Sequence, residues 1–192
     1  MSNELSNFGD HAVASLQTNA VIPEGMGIEG SWHVVCHDKD GNLKWEEKNH
    51  NLVVNVGLQD MNAKYFTGST YTAAWYIGLY GAGSSNNPAA SDTMSSHAGW
   101  TEVTAYSQST RPACTFGTPT TADPSVATNS ASAASFSING TTTVGGAFLT
   151  SNNTKGGSTG TLFSASDFTG GDRSVVSGDT LTVTYTFSLD AA

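Results

Sequence analysis

The segment from Leu181 to Leu189 alternates without a break. Leu181, Val183, Tyr185, Phe187 and Leu189 are apolar, and Thr182, Thr184, Thr186 and Ser188 stand between them. Successive side chains of a strand point to opposite faces, so this pattern predicts a strand with one face on a core. The other face meets solvent or a partner. A half-buried strand of this kind belongs in an antiparallel sheet, and the apolar face of that sheet needs a second layer over it.

The same pattern recurs upstream. Trp32, Val34 and Cys36 alternate with His33, Val35 and His37, and Leu43 and Trp45 follow after Asp38-Lys39-Asp40-Gly41-Asn42. The Asp-Gly step supplies the positive φ of a tight turn, which predicts a hairpin over 30–47. Further strands are expected at 73–80, 100–106, 113–116, 134–138 and 144–150, with another starting at Leu162. In the first of these, Trp75, Ile77 and Leu79 share one face, and Tyr76 and Tyr80 share the other. Loops are expected at 81–99, 119–129 and 156–160, with turns at Asn139-Gly140, 170–172 and 177–179. Only 51–66 changes period. Leu52, Val56, Leu58, Met61 and Tyr65 recur at helical spacing, which predicts a short strand or turn at 52–54 and one helix over 56–66 closed by Gly68. Gly57 costs that helix about 1 kcal/mol relative to Ala. Many short strands at ~8–12-residue intervals predict an all-β chain with one short helix. The expected architecture over 30–192 is a β-sandwich of jelly-roll or immunoglobulin-like type.

Residues 1–29 read as an extended N-terminal arm. Asn3, Asn7, Gly9, Gly25 and Gly27 interrupt any long pattern, and Pro23 disfavours helix at Ile22. A short helix near 11–16 fits the pattern. Phe8, Val13, Leu16, Val21 and Ile22 have no core of their own, so they are expected to be interface residues that order against a partner subunit. Tyr76 and Tyr80 are the second expected contact with a partner.

Composition narrows the function classes. Only 12% of the 192 residues are charged, the net charge is −9, and the seven Lys and Arg are scattered. Without a basic patch to neutralise phosphates, direct nucleic-acid binding is not expected. No apolar run approaches the ~20 residues of a membrane-spanning helix. The first ten residues carry Glu4 and Asp10 in place of the basic and apolar stretches of a signal peptide. The reading is a soluble protein made in a cytoplasm. Cys36 and Cys114 are too few for a disulfide scaffold and read as buried free thiols, with a single bridge as the alternative.

Four groups of residues could carry chemistry. His33, Cys36 and His37, joined by His50 or Cys114, contain zinc-ligand types, but the close paired spacing of a structural zinc site is missing. Cys36 in the core and two surface histidines explain them as well. The alternating oxygens of 38–42 resemble the start of a calcium loop, yet the twelfth position is Asn49 where a bidentate Glu is needed. A plain hairpin turn accounts for them. Asp92, His97 and Glu102 are hydrolase-type residues without a nucleophile elbow. Trp75, Tyr76, Tyr80, Trp100 and Tyr106 fit either a core or an exposed face that binds sugar or protein. No catalytic residue, metal or cofactor is expected.

Several segments resemble a family of phage and prophage virion proteins. They are Trp45-Glu46 with 51–58 (Asn-Leu-Val-Val-Asn-Val-Gly-Leu), and 73–79 (Ala-Ala-Trp-Tyr-Ile-Gly-Leu). Next come 92–102 (Asp-Thr-Met-Ser-Ser-His-Ala-Gly-Trp-Thr-Glu), then Tyr106 and Arg111-Pro112-Ala113. The last are Gly145-Gly146-Ala147-Phe148-Leu149, Thr154-Lys155-Gly156-Gly157, Gly170-Gly171-Asp172-Arg173 and Ser177-Gly178-Asp179. The resemblance covers most of the chain beyond the arm and carries no catalytic residues. It implies a structural component of a tailed-phage particle. Within that class the expectation is a capsid decoration, or cement, protein, a homotrimer on the outer surface of the head that binds the major capsid protein. A tail, baseplate or fibre component binding host glycans is the first alternative, and a polysaccharide-degrading enzyme the second.

Overall fold

The computed structural model describes residues 26–71, 73–81 and 88–191. Phe8, Val13, Leu16, Val21 and Ile22 lie outside them. Ten strands form two five-stranded antiparallel sheets, and the all-β sandwich expected from the sequence is what the chain adopts.

The first sheet is built on the two clearest strands. β1 (Met26–His37) pairs over its whole length with β10 (Thr180–Ala191), and β2 (Leu43–His50) closes the predicted hairpin on its outer side. Asp38 makes the turn. Its Oδ1 accepts from the backbone N–H of Asp40 at 2.9 Å and of Asn42 at 2.8 Å, and Gly41 supplies φ +84°. The other edge of β10 is shared by two short strands, β5 (Ser125–Thr128) and β6 (Ala134–Ser137). β1 begins four residues inside the segment read as arm, because Met26 to Glu29 find partners on the end of β10.

The second sheet has the order β3-β8-β7-β4, with β9 (Arg173–Val175) also pairing with β7. Its other members are β3 (Leu52–Val53), β4 (Tyr76–Gly81), β7 (Thr142–Thr150) and β8 (Leu162–Asp167). Among the described residues the one α-helix, α1 (Asn55–Phe66), matches the expected one, and Thr67 and Ser69 donate to the Ala63 carbonyl around Gly68 at φ +70°. Asn139-Gly140 turns the chain from one sheet to the other, since β6 pairs with β10 and β7 lies in the second sheet.

The main core lies between the sheets. Trp32, Val34, Cys36, Leu181, Val183 and Tyr185 meet Ile77, Leu79, Val144, Leu149, Phe163 and Val175 there. Phe187 and Leu189, expected on the same core face, are only half-buried, although the Phe187 ring still meets Phe163 of the opposing sheet at 5.7 Å between centres.

Three expectations are corrected. Residues 100–106 and 113–116 are not regular strands. They run along the free edge of β4 with single bridges at Tyr80–Glu102 and Tyr76–Ala113, and bends at Ser107 and at Ser109-Thr110 separate the two contacts. Trp100, Val103 and Tyr106 are buried at every third position, and Cys114 in the second stretch, without a continuous ladder. Within the expected loop 119–129, Ser125 to Thr128 pair with Thr186 to Leu189 as β5. Tyr80, expected at a partner surface, is fully buried. The outer face of the second sheet is covered, so both faces of β4 are interior. There Tyr80 joins Val54, Met94, Trp100, Phe148, Leu162 and Ala165 in a second apolar cluster.

Candidate functional site

The polar residues singled out for chemistry are held by structural partners. Asp92 is buried, and its Oδ2 accepts from Trp100 Nε1 at 3.1 Å and from the Ala89 N–H at 3.0 Å. His97 stacks on the Trp100 ring at 3.8 Å, with Nδ1 2.9 Å from the Trp100 carbonyl. Glu102 turns to Arg111, which binds both carboxylate oxygens, through Nε at 2.9 Å and Nη2 at 2.7 Å. Arg111 also donates to the carbonyls of Asn152 at 2.8 Å and Gly157 at 2.7 Å. Both arginines of the chain serve such pairs, since Arg173 binds the buried Glu47. Sequence reasoning missed Arg111 as a pinning residue. Its one signal was an Arg in a chain that has only two.

The histidine-cysteine group is split by the pleat. Cys36 points into the core, and His33 on the other face lies 2.9 Å from Glu46. Among the described residues no three His, Cys, Asp or Glu side chains are grouped to hold a metal ion. Cys36 and Cys114 are both buried and unpaired. Burial pushes their thiols up to about 11 and about 12.

The concave surface is elsewhere. A cavity of about 590 Å³ opens between the sheets, walled by Met61, Trp75, Tyr76, Phe116, Phe163 and Phe187. Cys114, Leu149 and Tyr185 form its inner end, and among the described residues no Asp, Glu, Lys, Arg or His lines it. That volume lies within the ~300–1,000 Å³ typical of binding pockets. Trp75 Nε1 donates to the Tyr71 hydroxyl at 3.1 Å on the rim. Lys64, tied to Asp60 at 2.6 Å, holds its ammonium 4.9 Å from the Tyr71 ring centre.

Beside this groove the last turn of α1 presents Tyr65 and Phe66, 83% and 73% exposed, packed edge to face at 4.9 Å. The only buried residue of α1 is Gly57, because a Cβ there would collide with the Phe163 backbone. The helix therefore touches the sheet closely near its start and leaves its end outside. Tyr71, on the groove rim, is half-exposed as well.

Of the aromatics marked in the sequence, Trp75 and half-buried Tyr76 line the groove, and Tyr80, Trp100 and Tyr106 are core. Phe116, Phe163 and Phe187 come to the groove from separate segments, and nothing local in the sequence joins them. Tyr65 could have been found, but its helical spacing read as an inward face. No family model, curated protein or solved structure matches this chain.

Proposed function

We propose that this chain is a non-enzymatic structural component of a tailed-phage particle, a capsid decoration protein that binds the outer surface of the head as a homotrimer. In this reading it bridges neighbouring major capsid protein subunits. The observation that carries the proposal is the exposed, mutually packed Tyr65 and Phe66 at the end of α1, with half-exposed Tyr71 on the rim of the apolar groove. Exposed aromatic surface of this kind marks a contact with another macromolecule. The residues most suited to catalysis support the same reading, since Asp92, His97 and Glu102 are all engaged in holding the 88–102 segment over the second sheet. The resemblance of 51–58, 73–79 and 92–102 to virion proteins points to a particle as the setting. A net charge of −9 with few cations suits an outer surface that keeps away from packaged nucleic acid.

Each contact of such a protein can be weak, because many copies on one lattice act together. The test is the copy number of this chain against the major capsid protein in purified particles, by quantitative mass spectrometry. A ratio near one to one, or a simple fraction fixed by a surface lattice, is the expected result. A few copies per particle overturns the head assignment in favour of a tail or fibre component. Absence from particles overturns the proposal altogether.

A further inference from the structure

We infer that the groove between the sheets is filled in solution by this chain's own N-terminal segment, through the apolar residues between Val13 and Ile22. The inference concerns the groove alone and holds whichever particle or partner the chain joins.

Twenty-five residues precede Met26, and the eleven from Ala12 to Ile22 contain no Asp, Glu, Lys, Arg or His. The described residues of the groove wall likewise carry no charge. An uncharged stretch carrying Val13, Leu16, Val21 and Ile22 therefore faces an uncharged aromatic trough of matching character.

The chain enters the fold at the right end. Met26 pairs with Ala191 at the tip of the β1–β10 ladder, and Gly30 pairs with Phe187 on the groove wall. At ~3.3 Å per residue, Met26 stands only ~13 Å along the ladder from that wall. Four residues upstream, Ile22 has an equal reach of ~13 Å. Between groove and tip, Ile28 and Leu189 lie opposite one another on the inward side of the ladder, half-buried, and extend the apolar surface of Phe187 toward the entry point. A chain turning back at Pro23 and Gly25 passes over this shelf first, then reaches the groove with Leu16 and Val13.

Cys114 at the inner end of the groove gives the test a native reporter. In the full chain, Val13, Leu16, Val21 and Ile22 are replaced by Cys one at a time and oxidised with diamide, with Asn3→Cys as the control. The expected product is a monomeric species two hydrogens lighter, from at least one of the four and not from the control, abolished by Cys114→Ser. In parallel, the double variant Val21→Asp with Ile22→Asp should raise the fluorescence of the apolar dye 1-anilinonaphthalene-8-sulfonate several-fold, with the strand signal in circular dichroism retained. Disulfides that appear only between chains overturn the inference in favour of a neighbour's segment. No link to Cys114 together with an unchanged dye signal overturns it in favour of an occupant from another protein.

Discussion

The ring of Tyr80 lies over Gly146, its register partner on β7, and its hydroxyl donates to Asp167 Oδ1 at 3.1 Å. The same exchange occurs two residues away, where the Phe148 ring covers Gly78. Glycine on one strand thus makes room for an aromatic ring on the next, and the outer face of the second sheet is filled this way. Gly146→Ala puts a Cβ into the Tyr80 ring and the Ser166 carbonyl. It should lower unfolding stability by about 1–3 kcal/mol or more in urea titrations, as overpacked cores do. A stability equal to the parent's would mean the two strands can part at little cost.

Burial raises the Asp167 carboxyl above its ordinary value; the Tyr80 hydroxyl pulls it partly back, and Asp172 pushes it further up. The folded state then holds this proton more tightly than the unfolded chain, whose value is about 3.9. Stability contributed here is present at low pH and is lost as pH rises from the unfolded value through the higher folded one. Asp167→Asn should flatten that part of the profile when urea midpoints are followed from about pH 3.5 to 6. An unaltered slope would assign it to another group.

Arg111 is 1% exposed and ties the Glu102 side chain to the loop between β7 and β8 through the carbonyls of Asn152 and Gly157. Arg111→Ala strands a mostly buried carboxylate and two carbonyls, and breaking a buried pair from one side costs about 3–5 kcal/mol. Arg111→Lys should recover little, since an ammonium cannot reproduce the planar fork. Thermal unfolding of both variants checks this, and a lysine variant as stable as the parent would count against the bidentate geometry.

Phe187→Ala offers a graded comparison with Phe136→Ala. Phe136 is fully buried and should cost about 3–5 kcal/mol. Half-buried Phe187 stands on the groove wall, so with the N-terminal segment seated in the groove its loss should approach that of Phe136 in the same urea titration. A clearly smaller loss would mean that the groove wall is open in solution.

Tyr65→Ser with Phe66→Ser removes the exposed pair at the end of α1. Surface changes of this kind leave stability within about 0.5 kcal/mol. If the patch seats the chain on a particle, binding to particles stripped of this protein should fall at least tenfold in a sedimentation assay. Full binding would move the contact to another face.

The sandwich was legible where strands are strictly alternating and the turn chemistry is local. Leu181 to Tyr185 and the Asp38–Asn42 hairpin needed no knowledge of the rest of the chain. The stretch 100–106 misled because Trp100, Val103 and Tyr106 are buried at every third position while the backbone makes only scattered bonds to β4. Ser125 to Thr128 were hidden because a four-residue strand beside Pro124 owes its form to β10, far along the chain. Tyr80 was misplaced because alternation assigns a side chain to a face but does not say whether that face is covered. The groove could not be read at all, since Phe116, Phe163 and Phe187 meet only through tertiary packing.

β10 has consequences for how the molecule comes into being. It lies between β1 on one side and β5 and β6 on the other, so each of those strands lacks its neighbour until the last described segment arrives. Pairings between such distant parts of a chain form slowly, because the loop they close is long. Until then the inward faces of β1, β5 and β6 stand open to other chains. The protein should accordingly depend on dilution or chaperones while it matures, and a version that joins Ala191 to Met26 and opens a loop elsewhere would shorten that vulnerable interval.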